Sequence, residues 1–145
     1  SLDGEEKNFK GSECGFGYRR SIFSGGDCLI LEAIFQLEQG DPAAIKARMG
    51  ELAAKRKEKQ PLEYPSARST FKRPPGHFAA KLIEEAGLRG FSVGGAQVSE
   101  KHCGFVVNKG NATAADIYAL ITKVQEQVKR SSQVTLEPEV ILLGF

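Results

Sequence analysis

The chain has 145 residues, enough for one ordinary domain or two small ones with a real core. Its 41% hydrophobic and 26% charged content is that of an ordinary globular protein, and a net charge of +2 argues against a nucleic-acid-binding surface. No apolar run is long enough to span a bilayer and no signal-peptide pattern opens the chain, so neither membrane nor export is expected and a cytoplasmic location is. Cys14, Cys28 and Cys103 are odd in number and lack close ligand spacing, which indicates neither a disulfide framework nor a metal site.

Residues 1–13 are polar and show no period, and the chain begins like the middle of something larger. Phe16, Tyr18, Ile22 and Phe23 surround the pair Arg19 and Arg20, and Ser24 to Asp27 has turn chemistry. Cys28 to Leu37 is apolar and β-branched enough to predict a mostly buried strand. Asp41-Pro42 starts a helix, Asp as cap and Pro at the first position, with Ile45, Met49, Leu52 and Ala53 on one face. Lys55, Arg56, Lys57 and Lys59 complement its C-terminal dipole, and Pro61 stops it.

From Pro61 the chain is stiff and extended, passes a small polar knot at Ser66 to Thr70, and reaches the cations Lys72 and Arg73. Pro74-Pro75-Gly76 then turns it into a helix with Phe78, Leu82, Ile83 and Ala86 at helical spacing, closed by Gly87 as a left-handed cap. A hydroxyl and two cations ahead of a helix start make an anion-binding mouth; the rival reading is a turn whose Ser and Thr bond their own backbone. Gly94 and Gly95 suit a bend or a close backbone approach, Cys103 to Asn108 a short strand, and Asn108 to Asn111 a turn. Thr113 to Asp116 approximates a capping box for a helix to about Arg130, with Ile117, Leu120, Ile121, Val124 and Val128 inward. Val134 to Leu143 reads as a final strand, and Pro138 predicts an edge or a bulge in it. This loose alternation gives an α+β class, with helices on one face of a small, mostly antiparallel sheet, preceded by an incomplete α+β lobe.

The segment Ser69-Thr-Phe-Lys-Arg-Pro-Pro-Gly-His-Phe-Ala-Ala-Lys-Leu-Ile83 resembles the signature stretch of the UDP-N-acetylenolpyruvoylglucosamine reductase family. Phe16-Gly-Tyr-Arg-Arg-Ser-Ile-Phe23, Gly94 to Asn108 and Leu136-Glu-Pro-Glu-Val140 agree in the same order. No long tyrosine-bearing insertion lies between Phe23 and Pro61, so the compact form of the family is the nearer match.

The resemblance implies an FAD- and NADPH-dependent oxidoreductase of peptidoglycan synthesis, forming UDP-N-acetylmuramate from UDP-N-acetylglucosamine enolpyruvate. It makes Arg19 the contact for the substrate carboxylate, Ser69 the proton donor, and Glu139 the carboxylate completing the catalytic set. Lys59 and Arg73 become candidates for the diphosphate, His102 and Tyr18 for the rest of the UDP-sugar, and Arg56 for the neighbourhood of the flavin. It also makes residues 1–60 the tail of a flavin-binding domain plus a connecting helix, and 61–145 the substrate-binding domain. The family's flavin-binding half, with its glycine-containing pyrophosphate loop, has no counterpart here, so that half is an expected partner and the chain alone is expected to be inactive. Arg68 stands where the family has glycine, and would be strained if that position needs a positive φ. Ile141 replaces an arginine and so removes a charge near the site. A stand-alone nucleotide-sugar-binding module is the rival reading; it would have no need of Arg19, Ser69 and Glu139 together. A trimmed piece without independent function, or an impaired homologue, are further alternatives.

Overall fold

The computed structural model describes residues 3–143. The chain divides into two units, Ser1–Gly40 and Asp41–Phe145.

In the first unit, two short 3-10 turns, Gly11–Glu13 and Ile22–Gly25, flank a tight reversal closed by a Gly17–Arg20 bridge. Ser21 caps the second turn, its hydroxyl accepting from the Phe23 N–H at 3.2 Å. The strand expected over Cys28 to Leu37 is absent: these residues have no regular structure, and Leu29, Ile30, Leu31, Ile34, Phe35 and Leu37 are between 63% and 88% exposed. A strand is stable only when its backbone finds a ladder and its side chains a facing layer, and among the described residues nothing pairs with this one. The pattern was read correctly as apolar; the burial it was expected to bring is not there.

The second unit opens with helix α1, Pro42–Lys59, where the Asp41 carboxylate accepts from the N–H groups of Ala43 (3.2 Å) and Ala44 (3.0 Å). No residue of α1 is buried. There follow strand β1 (Ser66–Ser69), helix α2 (Ala79–Glu85), strands β2 (Ser92–Val93), β3 (Ala96–Val98) and β4 (Phe105–Asn108), and helix α3 (Ala114–Ser132). The strands form one antiparallel sheet in the order β1-β4-β3-β2. Ala96, Val98 and Val106 share a core with Leu82 and Ile83 of α2 and with Leu120, Ile121, Val124 and Val128 of α3, closed by Phe71, Leu88 and Leu136. The α+β expectation holds.

Local signals explain the boundaries. Thr113 and Asp116 exchange side chain-to-backbone hydrogen bonds of 2.9 and 3.1 Å, the expected capping box. Gly87 ends α2 at φ 74, with the Leu88 N–H reaching back to the Ile83 carbonyl, a Schellman closure. A Cβ on Gly95 would overlap the Gly110 carbonyl and the Ala112 N–H, so the β2–β3 turn can press against the start of α3 only because that position lacks a side chain.

The final strand predicted over Val134 to Leu143 shrinks to one bridge between Phe71 and Pro138. The Lys72 N–H donates to the Glu137 carbonyl and the Glu139 N–H to the Thr70 carbonyl, both at 2.8 Å. Pro138 sits between those two bonds, where its missing N–H is not needed, and pairing goes no further. The proline thus selects an edge position and also limits the strand.

Candidate active site

The polar knot at Ser66 to Thr70 is strand β1 followed by Thr70, with one local bond of the turn kind, from the Arg68 N–H to the Ser66 hydroxyl at 3.4 Å, and its irregularity is what shapes the site. Ser66 pairs with Val107 and Ser69 with Phe105, so three steps along β1 match two along β4 and one residue is extra. Arg68 absorbs it at φ 70, the left-handed region that costs an ordinary residue about 1 kcal/mol or more. The strain foreseen for an arginine at this position is therefore present. Thr70, 3% exposed, repairs the ladder just after the bulge: its N–H donates to the Gly104 carbonyl at 2.9 Å and its hydroxyl accepts from the Val106 N–H at 3.1 Å.

Thr70 also organises the other side. Its carbonyl accepts from the Glu139 N–H, so Ser69 and Glu139 flank the same fixed residue, one along the strand and one across the bridge. Both are exposed. Their backbones meet at Thr70, Ser69 preceding it and Glu139 bonded to it. Around it, Lys72 Nζ lies 3.2 Å from the Glu137 carboxylate, an exposed ion pair worth little by itself. Arg73 is held at the entrance to α2, its guanidinium 4.0 Å from the Phe78 ring centre and its Nε donating to the His77 carbonyl at 3.3 Å.

His102 belongs to a rigid loop between β3 and β4. The buried Ser99 hydroxyl accepts from the N–H groups of Lys101 (3.1 Å) and His102 (3.2 Å). His102 Nδ1 in turn accepts from the Gly104 N–H at 3.1 Å, which assigns the ring proton to Nε2, and the ring meets Phe105 edge-on at 4.9 Å. Lys59 and Arg56 stand on the last turn of α1, with Arg56 Nε donating to the Gln60 side chain at 3.2 Å. Arg19 and Tyr18 lie in the first unit at the tip of the Gly17–Arg20 reversal, Arg19 at φ 55 with its guanidinium 5.6 Å from the Tyr18 ring centre. Ile141, the other departure, is exposed.

Two features escaped sequence reasoning. Lys101 Nζ donates to the Lys57 carbonyl at 3.0 Å and lies 3.5 Å from the Glu63 carboxylate, tying the end of α1 to the His102 loop. Lys109 Nζ donates to the Tyr64 hydroxyl at 2.7 Å. Glu63 is held below the ordinary carboxylate range, first by a hydrogen bond to its own backbone and then by Lys101 and Lys109. Long cations in polar loops carry no sequence signal that separates such ties from solvated lysines. Beside Thr70, a mainly apolar crevice of about 380 Å³ opens between β1, β4 and α3, lined by Pro65, Ala67, Val106, Ile117 and Val140. Its chemistry suits apolar contact and not phosphate.

Residues 60–143 match the C-terminal domain of UDP-N-acetylenolpyruvoylglucosamine reductase. The chain belongs to this family. The UDP-N-acetylenolpyruvoylglucosamine reductase of Agathobacter rectalis is 58% identical over 144 residues, covering 99% of this chain and 46% of the relative. That of Geobacillus kaustophilus is 52% identical, covering 99% and 47%. The crystal structure of the reductase from Thermus caldophilus superposes with a TM-score of 0.73 at 37% identity, over 90% of this chain and 46% of that one. The chain thus spans about half the length of the curated relatives it matches. Among the described residues, no helix is long and apolar enough to cross a membrane.

Proposed function

We propose that this chain supplies the substrate-binding part of a cytoplasmic reductase converting UDP-N-acetylglucosamine enolpyruvate to UDP-N-acetylmuramate for peptidoglycan synthesis. The observation that supports this is the Thr70 junction, where the Glu139 N–H bonds the carbonyl of the residue that follows Ser69, in a chain of this family. Residues 61–145 would be the substrate domain, and 1–60 the tail of a flavin domain completed by the remaining half of the protein.

FAD, reduced by NADPH, would supply the hydride for C3 of the enolpyruvyl ether. Among the described residues none forms a cradle for it: Gly94 and Gly95 press on Asp116 and the start of α3, Gly104 lies against His102, and Arg56 is bonded to Gln60. The flavin would therefore sit on the remaining half of the protein, and the residues of this chain would serve the substrate. Ser69 would deliver the proton to C2. An unassisted hydroxyl is a weak acid, so Glu139 would orient the substrate or assist proton delivery. The Arg19 fork matches the two oxygens of the carboxylate on which charge builds, a geometry lysine would serve less well. Lys59 and Arg73 would meet the diphosphate, with His102 and Tyr18 meeting the rest of the nucleotide sugar.

Calorimetric titration with UDP-N-acetylmuramate, and separately with FAD, tests this reading. Binding of the nucleotide sugar without FAD is expected. Tight FAD binding, or flavin retained on purification with NADPH oxidation, would overturn the assignment of the chain as the substrate half. A folded chain that ignores the nucleotide sugar would overturn the substrate site.

A further inference from the structure

We propose that Lys101 is a positioning residue: it fixes the basic end of α1, with Lys59 on it, against the His102 loop, and so sets the cation that meets the substrate's diphosphate. The proposal rests on the nucleotide-sugar reading above.

Helix α1 is otherwise loosely held. None of its residues is buried, so packing does not fix where its last turn lies. A helix leaves its last four carbonyls without partners inside the helix. Here the Gln60 N–H takes the Arg56 carbonyl at 2.9 Å, and Lys101 takes the next one, at Lys57. Among the described residues this is the one side-chain hydrogen bond joining α1 to the part of the chain beyond Gln60, and it spans 44 residues. The cation is well matched to a helix C-terminus, where partial negative charge gathers.

The other end of the tie is rigid. Lys101 leaves a loop whose backbone is fixed by the buried Ser99 hydroxyl, the same hydroxyl that holds His102. The ammonium also meets Glu63, in the link that follows α1, which is a turn closed by the Tyr64 N–H on the Pro61 carbonyl and not the extended stretch expected, so helix, link and loop converge on one charge. Lys59 lies two residues beyond the bonded carbonyl. A free helix end would let it sweep through many positions; one tied at Lys57 to the Lys101 loop confines it, and preorganisation of this kind raises affinity by lowering the ordering cost of binding.

Uridine diphosphate is the probe, and the variants of the 145-residue chain are Lys101→Met, Lys101→Arg and Lys59→Ala, alone and combined. Lys101→Met is expected to weaken binding about fivefold, the scale of one ordinary net hydrogen bond at an exposed site, and Lys101→Arg, which keeps a donor of similar reach, to restore most of it. In the Lys59→Ala background, Lys101→Met should cost nothing more, because it acts through Lys59. Additive losses would mean that Lys101 meets the ligand itself, and would overturn the positioning role. Without ligand, exchange of the Gln60 and Leu62 amides should quicken about five- to tenfold in Lys101→Met, with the sheet amides unchanged. Unchanged exchange at Gln60 and Leu62 overturns the tether. If the wild-type chain binds uridine diphosphate and Lys101→Met binds it equally well, the proposal falls and the function stands. If the wild-type chain does not bind it, the nucleotide-sugar reading fails, and the exchange result alone then decides whether the tether exists.

Discussion

Helices α1 and α3 are nearly equal in length, 18 and 19 residues, and both carry a helical repeat of apolar side chains. Yet α3 buries Leu120, Ile121, Val124 and Val128, while on α1 Ile45, Met49 and Leu52 stay 49%, 66% and 49% exposed. The difference teaches that an amphipathic pattern registers the need for a covering surface without saying where that surface is. Helix α3 is held by its face. Helix α1 is held by its ends and its surface charges: the Asp41 cap, the basic last turn, and Glu51 between Arg48 (2.6 Å) and Lys55 (2.5 Å).

The sharpest way to break this comparison is to truncate matching leucines. Leu120→Ala should cost about 3 kcal/mol in denaturant unfolding, the scale of a fully buried leucine, whereas Leu52→Ala should stay within about 0.5 kcal/mol. Equal losses would mean that α1 is packed after all. The caps give a smaller contrast. Thr113→Ala should cost about 1 kcal/mol of the whole unit's stability, while Asp41→Ala should lower helicity by circular dichroism and leave the unfolding midpoint nearly unchanged.

Strain offers a third contrast, because a residue stays at φ 70 only where its surroundings leave no alternative, as the sheet does and α1 could not. Arg68→Gly should therefore stabilise the chain by about 0.5–1 kcal/mol, read as a raised Tm. A lower Tm would show that the arginine side chain makes a contact worth more than the strain.

The smallest effect is in pH. Asp116 is held below the usual carboxylate range, chiefly by its bond from the Thr113 N–H, and Glu51 by Lys55 and then Arg48. A lowered folded-state value means the contribution is complete above the unfolded value, about 4, and is lost as pH falls through the lower folded one. Between pH 5 and pH 2 the wild type should lose more stability than Asp116→Asn does. Glu51→Gln should shift only the acid loss of α1 helicity.

What was legible in the sequence was what the chain settles locally. Asp41-Pro42, the Thr113–Asp116 box, Gly87 and the Gly94–Gly95 turn each fix an element within a few residues, and each was readable before the structure. The runs Cys28 to Leu37 and Val134 to Leu143 were misread because a strand is a relation to a second strand, and apolar β-branched residues do not say whether one is at hand. Ser66 to Thr70 was ambiguous for a related reason: the Thr70 hydroxyl could bond its own turn or, as it does, a residue 36 positions away. Ser69 and Glu139 stood out through family resemblance and not through pattern, since a serine in a polar stretch and a glutamate near a terminus are common. The tie made by Lys101 had no local sign.

The bridge that carries Ser69 and Glu139 together joins distant parts of the chain: the Lys72–Glu137 pair beside it spans 65 positions. Closing so long a loop is entropically slow and brings only a few bonds, so it should follow the sheet and α3 in time rather than precede them. On a ribosome, residues around Glu139 emerge after the sheet, α2 and α3, which precede them in the chain. The Ser69–Glu139 junction would therefore form after the sheet and α3, and the same few bonds, opening alone, would take it apart while the core stays folded.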